Sequence, residues 1–319
     1  MVSAGLAASA VTIAMRRLRH TATERLAPIA GVTGAFVFAA QMINFPIAAG
    51  TSGHLIGGAL AAILLGRSLG LIVATVVVVS QALVFADGGL TAIGINVINL
   101  AVVPTLGGYT VFSLVRRVLP ASKSGVVAAT GLASGASVVL GAMAFSLEWL
   151  FGATAPVPFD TVFGAMVGVH LLIGVGEGIV SALVVSSVLA ARPDLVAGAR
   201  DLSRSQLRGP VRVPLRALVM SGVLIAVTLA GVASQFASSA PDGLERVVVD
   251  EGLAPTAAAS ASSLGSGLFA GYATRGVDNA GLSLAVAGVS GVVLIMLVGW
   301  GLLSATLGGR AAPSRRVLR

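Results

Sequence analysis

The sequence predicts an all-α fold, a polytopic transmembrane helix bundle of about nine spans, since each crossing needs roughly 20 apolar residues. Three observations predict it. Apolar residues make up 56% of the 319 and charged residues only 10%, against about 25% charged in a soluble domain. The mean hydropathy is +0.99, and long apolar runs alternate with short basic clusters. Glycine is abundant, at 41 residues, as expected where helices must approach closely with no hydrophobic effect to drive them together.

The apolar runs follow in order. Val2–Met15 is too short to cross a bilayer and carries its positive charges after the apolar stretch, unlike a signal peptide. It is expected to be a truncated first span, in a chain that begins one or two helical turns late. Ala27–Ile47, Leu69–Ala86, Leu90–Val115, Gly125–Trp149, Thr161–Ala191, Leu215–Phe236 and Leu282–Leu307 are long enough to span. His54–Gly66 is short, and is expected to be tilted, re-entrant or buried against its neighbours.

Lysine and arginine give the orientation. With Arg16, Arg17, Arg19 and Arg25 in the cytoplasm, alternation of sides also brings Arg67, Arg116, Arg117, Lys123, the run Arg192–Arg216, and Arg310, Arg315, Arg316 and Arg319 there. Only Arg246 and Arg275 fall outside. This places the N-terminus outside and the C-terminus in the cytoplasm, in a multi-pass protein of the cell membrane. The formal charge of +8 is thus explained by topology. The cations do not interleave with aromatics, and no nucleic-acid partner is expected.

Three regions are expected: a main bundle over 1–192, a basic cytoplasmic linker over 193–214 with Pro193, Pro210 and Pro214, and a helical hairpin over 215–319. Between the hairpin's two spans lies the extracytoplasmic loop Ala237–Gly281.

Polar groups at membrane depth are costly unless paired, so they are candidates for function. Gln41 and Asn44 lie near the outer end of one span and lead through Phe45-Pro-Ile47 to Gly50-Thr-Ser-Gly-His54. Thr51 or Ser52 could cap a helix begun by His54. A histidine there, after glycine-rich irregular backbone facing an outside cleft, is a candidate ligand for nickel or cobalt. Gln81 and Asp87 approach the outer surface. Asn96 and Asn99 share one helix face, and His170 and Glu177, seven residues apart, share another. Gln81, Asn96 and Asn99 could equally bond between helices, and Glu177 could be a structural carboxyl.

Enzyme signatures are missing. No cysteine is present, which excludes disulfides, zinc-thiolate sites and thiol nucleophiles. No segment matches Gly-x4-Gly-Lys-Ser/Thr, so the chain is not expected to hydrolyse ATP. Ser137 in Gly135-Ala-Ser137 could be cast with His170 as an intramembrane protease pair, but a serine in a Gly/Ala-rich helix is usually a packing residue. No catalytic residue and no permanently bound cofactor is expected.

Several motifs recur in order. Gln41-Met-Ile-Asn-Phe-Pro46, Gly50-Thr-Ser-Gly-His-Leu55, the run Gly57–Gly66, Phe85-Ala-Asp-Gly-Gly-Leu-Thr-Ala92, Gly94-Ile-Asn96 to Asn99, and His170-Leu-Leu-Ile-Gly-Val-Gly-Glu-Gly178 resemble the CbiM/NikM family over roughly residues 2–191. These are substrate-specific membrane components of cobalt and nickel energy-coupling-factor transporters. Pro241-Asp-Gly-Leu-Glu245, between two spans, resembles the PDGLE domain of CbiN/NikN-type components, and the chain looks like a fusion of the two.

The resemblance implies capture of divalent nickel or cobalt from outside and passage into the cytoplasm. A transmembrane coupling subunit and ATPase subunits on other chains would supply the energy. The family begins Met-His and holds its metal through the terminal amine, the second residue's backbone nitrogen and imidazole, and a further histidine. His54 matches that further histidine. This chain begins Met1-Val2, so the imidazole at position 2 is absent. His54 is therefore the only carried-over ligand, with Asn96, Asn99, Gln41, Asn44, His170 and Glu177 as surrounding or pathway groups. The alternatives are an importer of an organic micronutrient and a degenerate, non-transporting scaffold.

Overall fold

The computed structural model describes residues 2–21, 26–47, 51–153, 155–203, 213–250, 252 and 263–308. The expected cytoplasmic cations Arg25, Arg310, Arg315, Arg316 and Arg319, and residues 204–212 of the linker, lie outside the described residues. The helices are α1 (Val2–Thr21), α2 (Leu26–Gln41), α3 (Gly58–Leu65), α4 (Arg67–Val84), α5 (Ile93–Val118), α6 (Lys123–Gly152), α7 (Phe159–Ala191), α8 (Leu215–Gly231), α9 (Gly243–Asp250) and α10 (Ala280–Gly308). The fold is a multi-pass helical membrane bundle. Among the described residues six helices are long and apolar enough to cross a bilayer: α4, α5, α6, α7, α8 with its 3-10 extension to Phe236, and α10. The apolar α2 is shorter.

Two boundaries differ from the sequence reading. The run from Val2 does not stop at Met15; α1 continues to Thr21, because Arg16, Arg17, Leu18 and Arg19 are good helix formers. Its small residues Ala7 and Ala14, with Leu18, face the core. The run from Ala27 leaves the helix at Gln41. Pro46 has no N–H and restricts Phe45 to extended backbone, so the chain forms a two-residue strand, Phe45–Pro46, antiparallel to Ser52–Gly53.

The helix expected to start at His54 starts at Gly58 instead. Gly57 adopts φ 75°, a left-handed turn that ends the irregular segment. The residue at the N-cap of α3 is Gly57 rather than Thr51 or Ser52. All eight α3 residues are buried, so of the three expected dispositions it is the one packed against neighbours.

Helices α6 and α7 cross at small residues. A side-chain carbon on Gly174 would lie 2.7 Å from the Gly135 carbonyl, and one on Gly178 would lie 2.6 Å from the Gly131 carbonyl. Two glycine pairs at four-residue spacing thus bring the backbones together, which in lipid is the main route to tight packing. The opposite face of α7 exposes Leu171, Leu172, Val175, Ile179 and Leu183, an apolar surface suited to acyl chains.

The hairpin α8/α10 packs on α2 and α4. Phe38, Val77 and Phe85 of the bundle share a core with Ala226, Ala230, Val292 and Ile295. The first part of the expected linker docks as well. Val196, Ala199 and Leu202 are buried, Gly198 fits against Phe112 and Ile63, and Asp201 pairs with Arg116 at 2.5 Å.

Candidate metal-binding site

The segment Thr51–Gly57 links the strand pair to α3, and its polar main chain must find partners at depth. Glu177 supplies them from α7. Its side chain is fully buried, and its two carboxylate oxygens accept the N–H groups of Ile56 at 2.6 Å and Gly57 at 2.8 Å. From the other side, Gln41 Nε2 donates to the Ile56 carbonyl at 2.8 Å. One peptide is therefore gripped by two helices. The glycine crossing at Gly174 and Gly178 brings the α7 backbone against α6 on either side of Glu177.

His54 projects from this held segment. It is half-buried between buried Gly53 and Leu55. Its Nδ1 sits 3.2 Å from the Leu55 carbonyl. A ring nitrogen facing a carbonyl must be the protonated one, which leaves the Nε2 lone pair bare. His170 repeats the pattern, with Nδ1 2.6 Å from the Met166 carbonyl one turn earlier on α7. His170 lies within electrostatic reach of His54 and Asp242.

The loop between α8 and α10 covers this region. Ser52 N donates to the Pro241 carbonyl at 2.9 Å, Ser52 Oγ donates to the Ala240 carbonyl at 2.6 Å, and Ser238 N donates to the Asn44 carbonyl at 2.7 Å. The motif Pro241-Asp-Gly-Leu-Glu245 is a helix start. Asp242 Oδ1 accepts the N–H groups of Leu244 and Glu245 while Glu245 accepts that of Asp242, a reciprocal cap for α9. Gly243 leaves room for His170, whose Cε1 would lie 3.1 Å from any added side-chain carbon. Val247 of α9 packs on Val162 and Met166 of α7.

Asn96 and Asn99 serve elsewhere. A π-helical turn over Val97–Val102 rotates them apart, so the shared face expected of an α-helix is lost. Asn96 Nδ2 donates to the Gly88 carbonyl at 3.0 Å, and Asn99 Nδ2 donates to Glu148 at 2.6 Å. Neither bonds the His54 segment. Ser137 is buried and donates to the Ser134 carbonyl of its own helix. Asp87 accepts the Tyr272 hydroxyl at 2.7 Å, and Gly271 N donates to the Phe85 carbonyl at 2.7 Å, so the loop is fastened to the bundle here as well. Burial, with the Asp87 carboxylate beside it, pushes the Tyr272 hydroxyl well above its usual pKa.

Among the described residues no three His, Asp or Glu side chains are grouped to hold a metal. What the site offers is imidazole lone pairs on a fixed loop beneath an acidic helix start. The Ser52 contacts and the reciprocal cap were missed in the sequence; Asp-x-x-Glu before an apolar run was the available signal for the cap.

Residues 1–195 match the family described as the cobalt uptake substrate-specific transmembrane region, CbiM, and residues 216–306 match the PDGLE domain. The chain is 44% identical over 190 residues to a protein of Haloquadratum walsbyi provisionally named a metal transport protein, covering 59% of this chain and 84% of that one. It is 31% identical over 305 residues to the fused nickel transport protein NikMN of Rhodobacter capsulatus, covering 89% of this chain and 88% of that one. A crystal structure described as a truncated transition metal transporter superposes with a TM-score of 0.53 at 28% identity, over 59% of this chain and 92% of that chain.

Proposed function

The chain belongs to the CbiM family and carries a PDGLE domain in the same polypeptide, and from that premise we propose that it is the substrate-specific membrane component of an ATP-driven importer of divalent nickel or cobalt. The family is a transport component and the chain is not an enzyme. The ion is cargo, captured from outside the cell membrane and passed into the cytoplasm. A transmembrane coupling subunit and ATPase subunits on other chains supply the energy. The basic end of the bundle, with Arg67, Arg116 and Arg192, faces the cytoplasm, and the His54 end faces out. Residues 1–192 form the metal-binding bundle, 193–214 the connection, and 215–319 the hairpin whose loop covers the site.

The observation that best supports this reading is the grip of Glu177 and Gln41 on the peptide after His54. A loop fixed by buried bonds presents an imidazole with its Nε2 free, the donor that nickel and cobalt favour. Cells carrying the whole transporter are expected to accumulate nickel or cobalt at submicromolar concentration. His54→Ala is expected to abolish that uptake while leaving the amount of protein in the membrane unchanged. Unchanged uptake by the variant contradicts the assignment, and equilibrium dialysis with no bound nickel or cobalt favours an organic substrate instead.

A further inference from the structure

We propose that His170 is a second imidazole ligand for the transported ion, binding through Nε2 beside His54. The inference rests on the reading of His54 above and adds a ligand from a different helix. Two sets of contacts bring the two imidazoles to one region. Gly53, next to His54, packs on Ile173, one turn along α7 from His170. Pro241 bonds Ser52, two residues before His54, while Gly243, two residues after Pro241, fits against the His170 ring.

The ring chemistry is that of a ligand. A metal-bound histidine characteristically donates its second ring N–H to a carbonyl, which fixes the tautomer and raises the basicity of the free nitrogen. His170 meets this through Met166 and His54 through Leu55. No hydrogen bond to Nε2 of either ring is present among the described residues. Asp242 adds negative charge nearby, with its Oδ1 engaged by the α9 cap. Two imidazoles do not complete a coordination shell, and water or main-chain atoms take the remaining positions.

The test is X-ray absorption at the nickel edge, with affinity by equilibrium dialysis, on the purified full chain loaded with nickel alone. Wild type, His54→Ala, His170→Ala and His170→Gln are compared. Loss of an outer-sphere partner costs about 10–100-fold in metal affinity, so loss of a direct ligand is expected to exceed about 100-fold. His170→Ala should also remove one imidazole from the nickel scattering. Nickel bound by His170→Ala with the wild-type imidazole count overturns the proposal and leaves His54 standing. Nickel binding that survives His54→Ala unchanged, or a wild type that binds none, overturns both. If His170→Ala fails to fold, His170→Gln is read by the same count, because an amide adds no imidazole scattering.

Discussion

Glu177 and Tyr272 each fasten a loop to a neighbouring helix, but they do so in different surroundings. Glu177 is sealed, and its partners are two main-chain N–H groups that have no alternative acceptor at that depth. Tyr272 reaches Asp87 near the outer end of α4, where Asp87 remains open to water as a competing partner. The His54 loop therefore cannot leave its position without orphaning buried groups, whereas breaking the Tyr272 contact leaves Asp87 hydrogen-bonded to water. The two walls of the site thus differ at these contacts: one is held by sealed bonds, the other by a bond that water can replace at Asp87.

Variants can break or sharpen this contrast. The largest effect is expected from Glu177→Ala, which strands two buried N–H groups at about 1–3 kcal/mol each. Thermal unfolding in detergent should move well below wild type. A variant no less stable than Tyr272→Phe would erase the difference between the walls. Next comes Gly178→Leu, which pushes α7 away from the Gly131 carbonyl; overpacking of this kind costs about 1–3 kcal/mol. Its signature is weaker nickel binding together with lower stability, because the α7 turn that carries Glu177 is displaced.

Tyr272→Phe removes one hydrogen bond, worth about 0.5–1.5 kcal/mol. It should raise the rate of hydrogen exchange or proteolysis in the outer loop and leave the α6/α7 core unaffected. The same contact has a pH signature. Because the folded Tyr272 pKa lies above that of the unfolded chain, the hydroxyl's contribution is complete below about pH 10 and is lost as pH rises through the folded value. Loop protection should be flat through neutral pH and fall only in strong alkali. The smallest effect is expected from Asp242→Asn. Asparagine caps a helix as well as aspartate does, so only the charge is lost. Nickel uptake should slow by no more than about tenfold, and less in high salt.

The long spans were legible because apolar length alone fixes them, and α4, α6 and α7 each end within three residues of the sequence reading. What failed was local. The α3 start depended on the φ of Gly57, and the relation of Asn96 to Asn99 depended on a π turn; residue type reveals neither. A shared helix face for His170 and Glu177 was readable from their seven-residue spacing. The Glu177 partners were not, because they are main-chain N–H groups that every sequence contains. The glycine pairs Gly131/Gly135 and Gly174/Gly178 were readable in principle, since small residues four apart on two adjacent spans are the pattern of a close crossing.

The most direct test is equilibrium dialysis of the purified full chain against radioactive nickel, with His54→Ala measured beside it. The account predicts saturable binding by the wild type and its loss in the variant, with thermal unfolding of the two metal-free proteins coinciding. Equal binding by both would contradict the assignment of His54 as the ligand on which the site is built.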